Sequence, residues 1–299
     1  MKNYIYSDLA LESRCPTNEN IFTAKEYSEH IVGNCKICRL DISSDALSKK
    51  YQKKKGVYIT ITCEKIWLLS DAELDDTSCI IGAELKKMLL SATDKKIDEK
   101  FSVLVAGLGN AEITSDAIGP LTVSKLTVTR HINQVSRELF RALGQCTVSA
   151  ISPGVLAQTG IETLELIRGA LNTTSPDAVI AVDALAARSC ERLASTIQIS
   201  DSGINPGSGI GNLRKAIDKD NLGIPVIALG VPTVVDSATL VYDALESAGI
   251  SNISPKLQKV LDNGRGFFVS PKESDVISER VSLLLSKAID TALRISVPH

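Results

Sequence analysis

Apolar runs and amphipathic stretches alternate along most of the chain, and their periods separate strands from helices. After a polar, weakly patterned stretch at 1–20, residues 24–50 read as one or two short helices. From Gly56, the residues Val57, Ile59, Ile61 and Cys63 alternate with Tyr58, Thr60, Thr62 and Glu64, as in a strand with one face on the core. Residues 73–90 carry Ile80, Ile81, Leu85, Met88 and Leu89 on one helical stripe. Residues 275–294 carry Ile277, Val281, Leu284, Leu285 and Ala288 on another. Three short runs, at 103–106, 178–182 and 224–229, are apolar throughout and suit strands buried on both faces. Two shorter strands are expected at 147–151 and 196–200, and helices at 117–143 and 160–171. A further helix should begin at Asp236 as N-cap, with Leu240, Val241, Ala244, Leu245 and Ala248 inward, before an irregular stretch at 249–274. Strands alternating with helices predict an α/β fold, a largely parallel sheet covered on both faces.

Composition narrows the function classes. With 299 residues and 44% apolar side chains, a sizeable core can form. A net charge of −2 implies no broad basic face, so direct binding of nucleic acid is not expected. The strongest basic run, Lys49 to Lys55, reads as a solvated helix end and turn. No apolar stretch has the length of a membrane span, and the first residues lack the apolar core of a secretory signal. Seven scattered cysteines fit reduced thiols in a cytoplasmic protein. Cys35 and Cys38 form a CxxC, but the second half of a zinc site is missing, so free thiols are the simpler reading.

The centre of the pattern is FSVLVAGLGNAEITSDAIGP, residues 101–120. Its glycines suggest a dinucleotide loop, yet Gly107, Gly109 and Glu112 supply only two of the three required glycines, and a carboxylate at the third position would repel a pyrophosphate. The stretch instead delivers Asp116 to the carboxyl edge of a sheet, where open α/β folds place their ligands. The second buried run stops at Asp183. If the two strands are neighbours, both aspartates meet at one sheet edge. Two facing carboxylates share a proton, so one can activate water while the other donates a proton. They could equally hold one divalent metal, and each alone suits a helix N-cap. The histidines are only His30, His131 and His299, which leaves a histidine triad or a histidine-rich zinc site without support. The glycine-rich loop at 205–212 suits either an anion or extended peptide cradle or a tight turn.

Five segments, GLGNAEITSDAIGP, SPGVLAQTGIET, AVIAVDALAARS, NPGSGIGN and GVPTVVDSAT, occur in this order and spacing. Together they resemble the spore germination protease family. The resemblance implies a three-layer sandwich, a mostly parallel mixed sheet between helices like that of the hydrogenase-maturation peptidases, spanning 1–299 as one peptidase domain. It implies an endopeptidase that acts on small acid-soluble spore proteins in the spore core, assembles as a homotetramer and processes itself from a zymogen. By motif, the family's proposed catalytic aspartates fall on Asp116 and Asp183, with no cofactor and, because no histidine lies in these motifs, no metal. Family cleavage sites place an acidic residue before an apolar one and then Ala, which puts propeptide cleavage between Asp8 and Leu9 and makes 1–8 a leader. Cleavage beside an acid calls for a positive subsite, for which Arg188, Arg192 and Arg214 are candidates. The remaining readings are a metal-dependent peptidase using the same acids, a non-enzymatic binding protein of the same fold, and a nucleotide-linked α/β enzyme.

Overall fold

The three fully apolar runs become adjacent parallel strands at the centre of a mixed sheet. The structure is a computed structural model and describes residues 6–12, 26–206, 215–250, 253–263 and 266–295. A hairpin opens it, β1 (Tyr27–Val32) and β2 (Cys35–Ile42), followed by α1 (Asp45–Tyr51), β3 (Gly56–Thr62) and the long α2 (Asp71–Thr93). Then come β4 (Ser102–Gly107), α3 (Ile118–Ser124), α4 (Arg130–Val135), α5 (Arg137–Leu143), β5 (Thr147–Ile151), α6 (Leu156–Thr159) and α7 (Thr163–Thr174). The remainder is β6 (Ala178–Ala187), β7 (Thr196–Ser200), α8 (Lys219–Leu222), β8 (Val226–Asp236), α9 (Ser237–Ser247), α10 (Pro255–Asn263), β9 (Phe268–Val269) and α11 (Ser274–Ala292).

The strand order is β1-β2-β3-β7-β8-β6-β4-β5, with β9 against β8. The ladders β8-β6, β6-β4 and β4-β5 are parallel, and β7, β3, β2 and β1 extend the sheet as an antiparallel wing. Odd and even strand positions feed different cores, as the two-residue period requires. Val103, Val105, Ile180, Val182, Ile227, Leu229, Ile197 and Ile59 pack under α2 and α11. Leu104, Ala106, Val179 and Ala181 pack under α7 through Leu164 and Ile167. The α2 stripe is anchored by a capping box in which Ser70 and Glu73 satisfy each other's orphan N–H groups.

Several expectations give way. Residues 27–42 form a hairpin rather than helices, because β1 is an edge strand, exposed along most of its length, and shows no clean apolar alternation. β6 does not stop at Asp183 but runs on to Ala187, and β8 continues through Gly230 to Asp236. The stretch 249–274 contains α10 and β9. Asp236 caps α9, accepting the Thr239 N–H at 2.8 Å, but the helix buries Ala238, Thr239 and Tyr242 and leaves Val241 exposed. Cys35 enters the α2 core, whereas Cys38 lies on the opposite face beside the Tyr27 hydroxyl, so the CxxC side chains diverge.

The glycines of the central stretch serve close packing. A Cβ on Gly107 would lie 2.2 Å from the Gly119 carbonyl oxygen, and one on Gly119 would lie 2.2 Å from the Leu108 oxygen and 2.7 Å from that of Val182. The start of α3 therefore rests directly on the end of β4 and the middle of β6. Gly119→Ala should lower Tm by about 5–10 °C in calorimetry, since backbone on both sides cannot yield to the methyl group. Gly169→Ala, in α7 with nothing within 4 Å of the new Cβ, should leave Tm unchanged or raise it slightly.

Candidate functional site

Asp183 occupies the middle of β6 with its side chain on the face that, further back along the strand, carries Val179 and Ala181 under α7. Beyond α7 a cleft opens, with a volume of about 600 Å³. Asp183 is buried and accepts its neighbour's N–H from Ala184 at 3.0 Å. Register places Gly230 of β8 beside Asp183, and Gln198 of β7 beside Gly230 on the far side. Three adjacent strands thus present a carboxylate, no side chain, and an amide on one face. Leu185 leans into the space over Gly230, where a Cβ would lie 2.6 Å from it.

Asp116 reaches the same cleft from a tight turn between β4 and α3. It does not cap α3, whose N-cap is Ala117 without a side-chain bond. Its carboxylate accepts the Asn110 N–H at 2.8 Å, and its own N–H donates to the Ile113 carbonyl at 2.8 Å. The turn is tied down from two sides: Thr233 of β8 donates to the Ser115 carbonyl and Ser278 of α11 to the Thr114 carbonyl, each at 2.7 Å. Both sequence-predicted aspartates therefore line one cleft, held by separate, well-anchored elements, and neither acts as a helix cap.

Residues 6–12 lie across this cleft. The Tyr6 N–H donates to Thr239 Oγ1 at 3.0 Å, and the Tyr6 hydroxyl donates to the Asp8 carboxylate. The ladder between β6 and β8 slips at Leu185/Ala186, and at that irregularity Ala186 bonds Asp8 twice. Its carbonyl accepts the Asp8 N–H at 2.9 Å, and its N–H donates to Asp8 Oδ2 at 2.8 Å. Leu9 is fully buried among Leu185, Ala187, Leu193 and Val235, and Ala10 among Leu40, Ile42, Tyr51 and Tyr58. Glu12 accepts the Arg188 N–H at 2.7 Å, the Ser189 N–H at 3.3 Å and Arg192 Nε at 3.1 Å.

The arginine candidates divide. Arg192 meets Glu12 rather than Asp8. The Arg188 guanidinium turns to Asp243 and Glu246 on α9. Arg214 lies outside the described residues, as do residues 207–212 of the glycine-rich loop. Asp8 meets the Ala186 N–H and the Tyr6 hydroxyl.

Two polar residues of the cleft were missed in the sequence. Lys53 belongs to the basic run read as solvated, yet its ammonium donates to the carbonyls of Asp8 at 3.0 Å and Ser7 at 3.1 Å. Burial pushes the Lys53 ammonium below the usual lysine range, against the opposing pull of Asp8 and Glu12. Its neighbours behave as ordinary ion-pairing lysines, Lys50 with Glu26, Lys54 with Asp218 and Lys55 with Asp45. Gln198 shares the polar face of the strand TIQIS with Thr196 and Ser200; that alternation reads as a solvent-facing strand, and the burial of all five residues is what the sequence did not signal.

Comparison with known proteins agrees with the motifs. The germination protease family model matches residues 8–248. A germination protease of Clostridium acetobutylicum is 36% identical over 98% of this chain and 96% of its own length. One of Clostridium perfringens is 38% identical over 97% of this chain and 95% of its own. One of Bacillus subtilis is 42% identical over 81% of this chain and 66% of its own. Among solved structures, a NiFe hydrogenase maturation protease, HycI from Thermococcus kodakarensis, aligns with a TM-score of 0.34 and 17% identity over 64% of this chain and 95% of that one. With the family model covering most of its length and relatives matched nearly end to end, this chain belongs to the germination protease family.

Proposed function

We propose that this peptidase is a self-processing zymogen whose Asp116 and Asp183 hydrolyse peptide bonds. Residues 1–8 are the leader, the bond cut is Asp8–Leu9, and the rest of 1–299 acts as one peptidase domain. The observation that carries this reading is that Tyr6, Ser7 and Asp8 line the cleft together with both aspartates, with the residues on either side of Asp8–Leu9 held by side chains and backbone. The aspartate pair carries one proton. Its ionised member takes a proton from the attacking water, and its protonated member donates toward the bond being broken.

The segment in the cleft also serves as a template for the substrates. An acidic residue, a buried apolar residue, a buried alanine and a second acid at position 12 each meet a defined partner. The groove accepts extended chain, which suits flexible proteins such as small acid-soluble spore proteins released in the spore core. Among the described residues no three of His, Cys, Asp and Glu come together in a metal-holding group. Exposed Val241, Leu257, Val260 and Phe267 offer apolar surface for assembly as a homotetramer. Among the described residues, no helix is long and apolar enough to cross a membrane.

Asp116→Asn and Asp183→Asn should each lower proteolysis of a spore-protein substrate by about 100-fold or more, with circular dichroism and Tm near those of the parent. Full activity in either variant would remove the pair from the reaction. Intact-mass spectrometry of the full chain held at mildly acidic pH should record loss of residues 1–8 and a new N-terminus at Leu9, where an unchanged mass would count against the zymogen. Proteolysis should survive strong chelators, and its loss would turn the same two acids into metal ligands.

A further inference from the structure

We propose that Lys53 and Gln198 form the donor pair that holds the scissile carbonyl oxygen and stabilises the negative charge that develops on it. This rests on the reading of Asp8–Leu9 as the bond cut, and it assigns a task that the aspartates need not perform.

Two donors meet at one atom, and a third contact orients one of them. Lys53 Nζ donates to the Asp8 carbonyl oxygen at 3.0 Å. Gln198 Nε2 approaches the same oxygen at 3.3 Å. The other end of that amide, Gln198 Oε1, accepts the Ala10 N–H at 2.7 Å, so one side chain brackets Leu9, from the Asp8 carbonyl to the Ala10 N–H. Gln198 can do this because it stands on the cleft face of β7, across the side-chain-free position of Gly230 from Asp183. Lys53 enters from the turn after α1, half-buried, and lines the cleft with both aspartates.

The chemistry follows from the placement. Water adds through its oxygen to the Asp8 carbonyl carbon, and its proton passes to the ionised aspartate. The carbonyl π electrons move onto the oxygen facing Lys53 and Gln198. A charged donor already aimed at the oxygen stabilises that oxyanion more than it stabilised the neutral carbonyl, which is the differential binding a catalyst needs. When the carbonyl re-forms, the bond to Leu9 breaks and the Leu9 nitrogen takes the proton held by the other aspartate. The products are a chain ending in the Asp8 carboxyl group and a chain beginning with the Leu9 amine. With the oxygen provided for, the acid member of the pair is free for the leaving nitrogen.

Self-cleavage of the full chain at mildly acidic pH, followed by intact mass, tests this. Amide hydrogen exchange at Asp8 and Ala10 reports in parallel whether the segment is still seated. Lys53→Met should slow release of residues 1–8 by about 100-fold or more while the amides stay protected, and Lys53→Arg should recover at least about tenfold of that loss. Gln198→Leu should also slow release. A Lys53→Met chain that cleaves within about threefold of the parent rate overturns the proposal. So does one whose amides at Asp8 and Ala10 lose protection, because the lysine would then only hold the segment down. Asp116→Asn and Asp183→Asn chains run alongside separate the two readings. If they stop cleavage and Lys53→Met does not, the donor pair falls and the acid pair stands. If they cleave normally and Lys53→Met does not, the acid pair falls alone. A parent chain that never loses its first eight residues overturns both.

Discussion

A carboxylate in the middle of a buried strand constrains everything built around it. The first half of β6 lies under α7 on the face Asp183 shares, and a helix continued over Asp183 would bury a charge under apolar side chains. The chain resolves this by leaving that part of the sheet uncovered by helices. What borders the space instead is the segment at Tyr6–Asp8, whose Asp8 N–H and C=O pair with Ala186 and Gln198 before the chain turns into a short 3-10 helix at Ala10–Glu12. The cleft, the aspartates and the seated segment are thus one consequence of where Asp183 sits on its strand.

The sheet supplies the geometry through what it omits. Gly230 removes a side chain between Asp183 and Gln198, and Leu185 folds over the vacated position to give Leu9 an apolar floor. The register slip at Leu185/Ala186 turns a peptide group toward Asp8. On the opposite side, the contact between Gly107 and Gly119 lets α3 rest on the end of β4 and the middle of β6 and fixes the turn carrying Asp116. None of these features depends on a mobile loop among the described residues.

Much of this was legible in the sequence, and the misses share a cause. Apolar runs and stripes located β4, β5, β6, β7, α2 and α11 because those elements are buried on one or both faces, and burial writes the pattern. The β1–β2 hairpin was not legible because β1 faces water along most of its length. β6 and β8 were cut short because Asp183, Gly230 and Pro232 look like strand-ending residues, whereas in the fold Asp183 and Gly230 line the cleft in mid-sheet and Pro232 pairs with Leu185 and accepts the Ala194 N–H. Lys53 was hidden for a different reason. Within a run of lysines, composition cannot say which ammonium turns inward, and three neighbouring lysines do face carboxylates near the surface.

The seated segment also bears on why binding here need not mean cutting. Lys53 is shared between the Ser7 and Asp8 carbonyls at nearly equal distances, and the Gln198 contact to Asp8 is long. Held in this way, the two donors contribute to docking the neutral peptide, and docking alone does not speed hydrolysis. As charge gathers on the Asp8 oxygen, the ammonium is drawn from Ser7 toward it and the amide contact shortens. The gain belongs to the transition state because the resting arrangement leaves it unclaimed. A leader that bound both donors at full strength would be a better inhibitor and a poorer substrate. The divided grip on Ser7 and Asp8 suits the proposed leader, a segment held first and released by cleavage later.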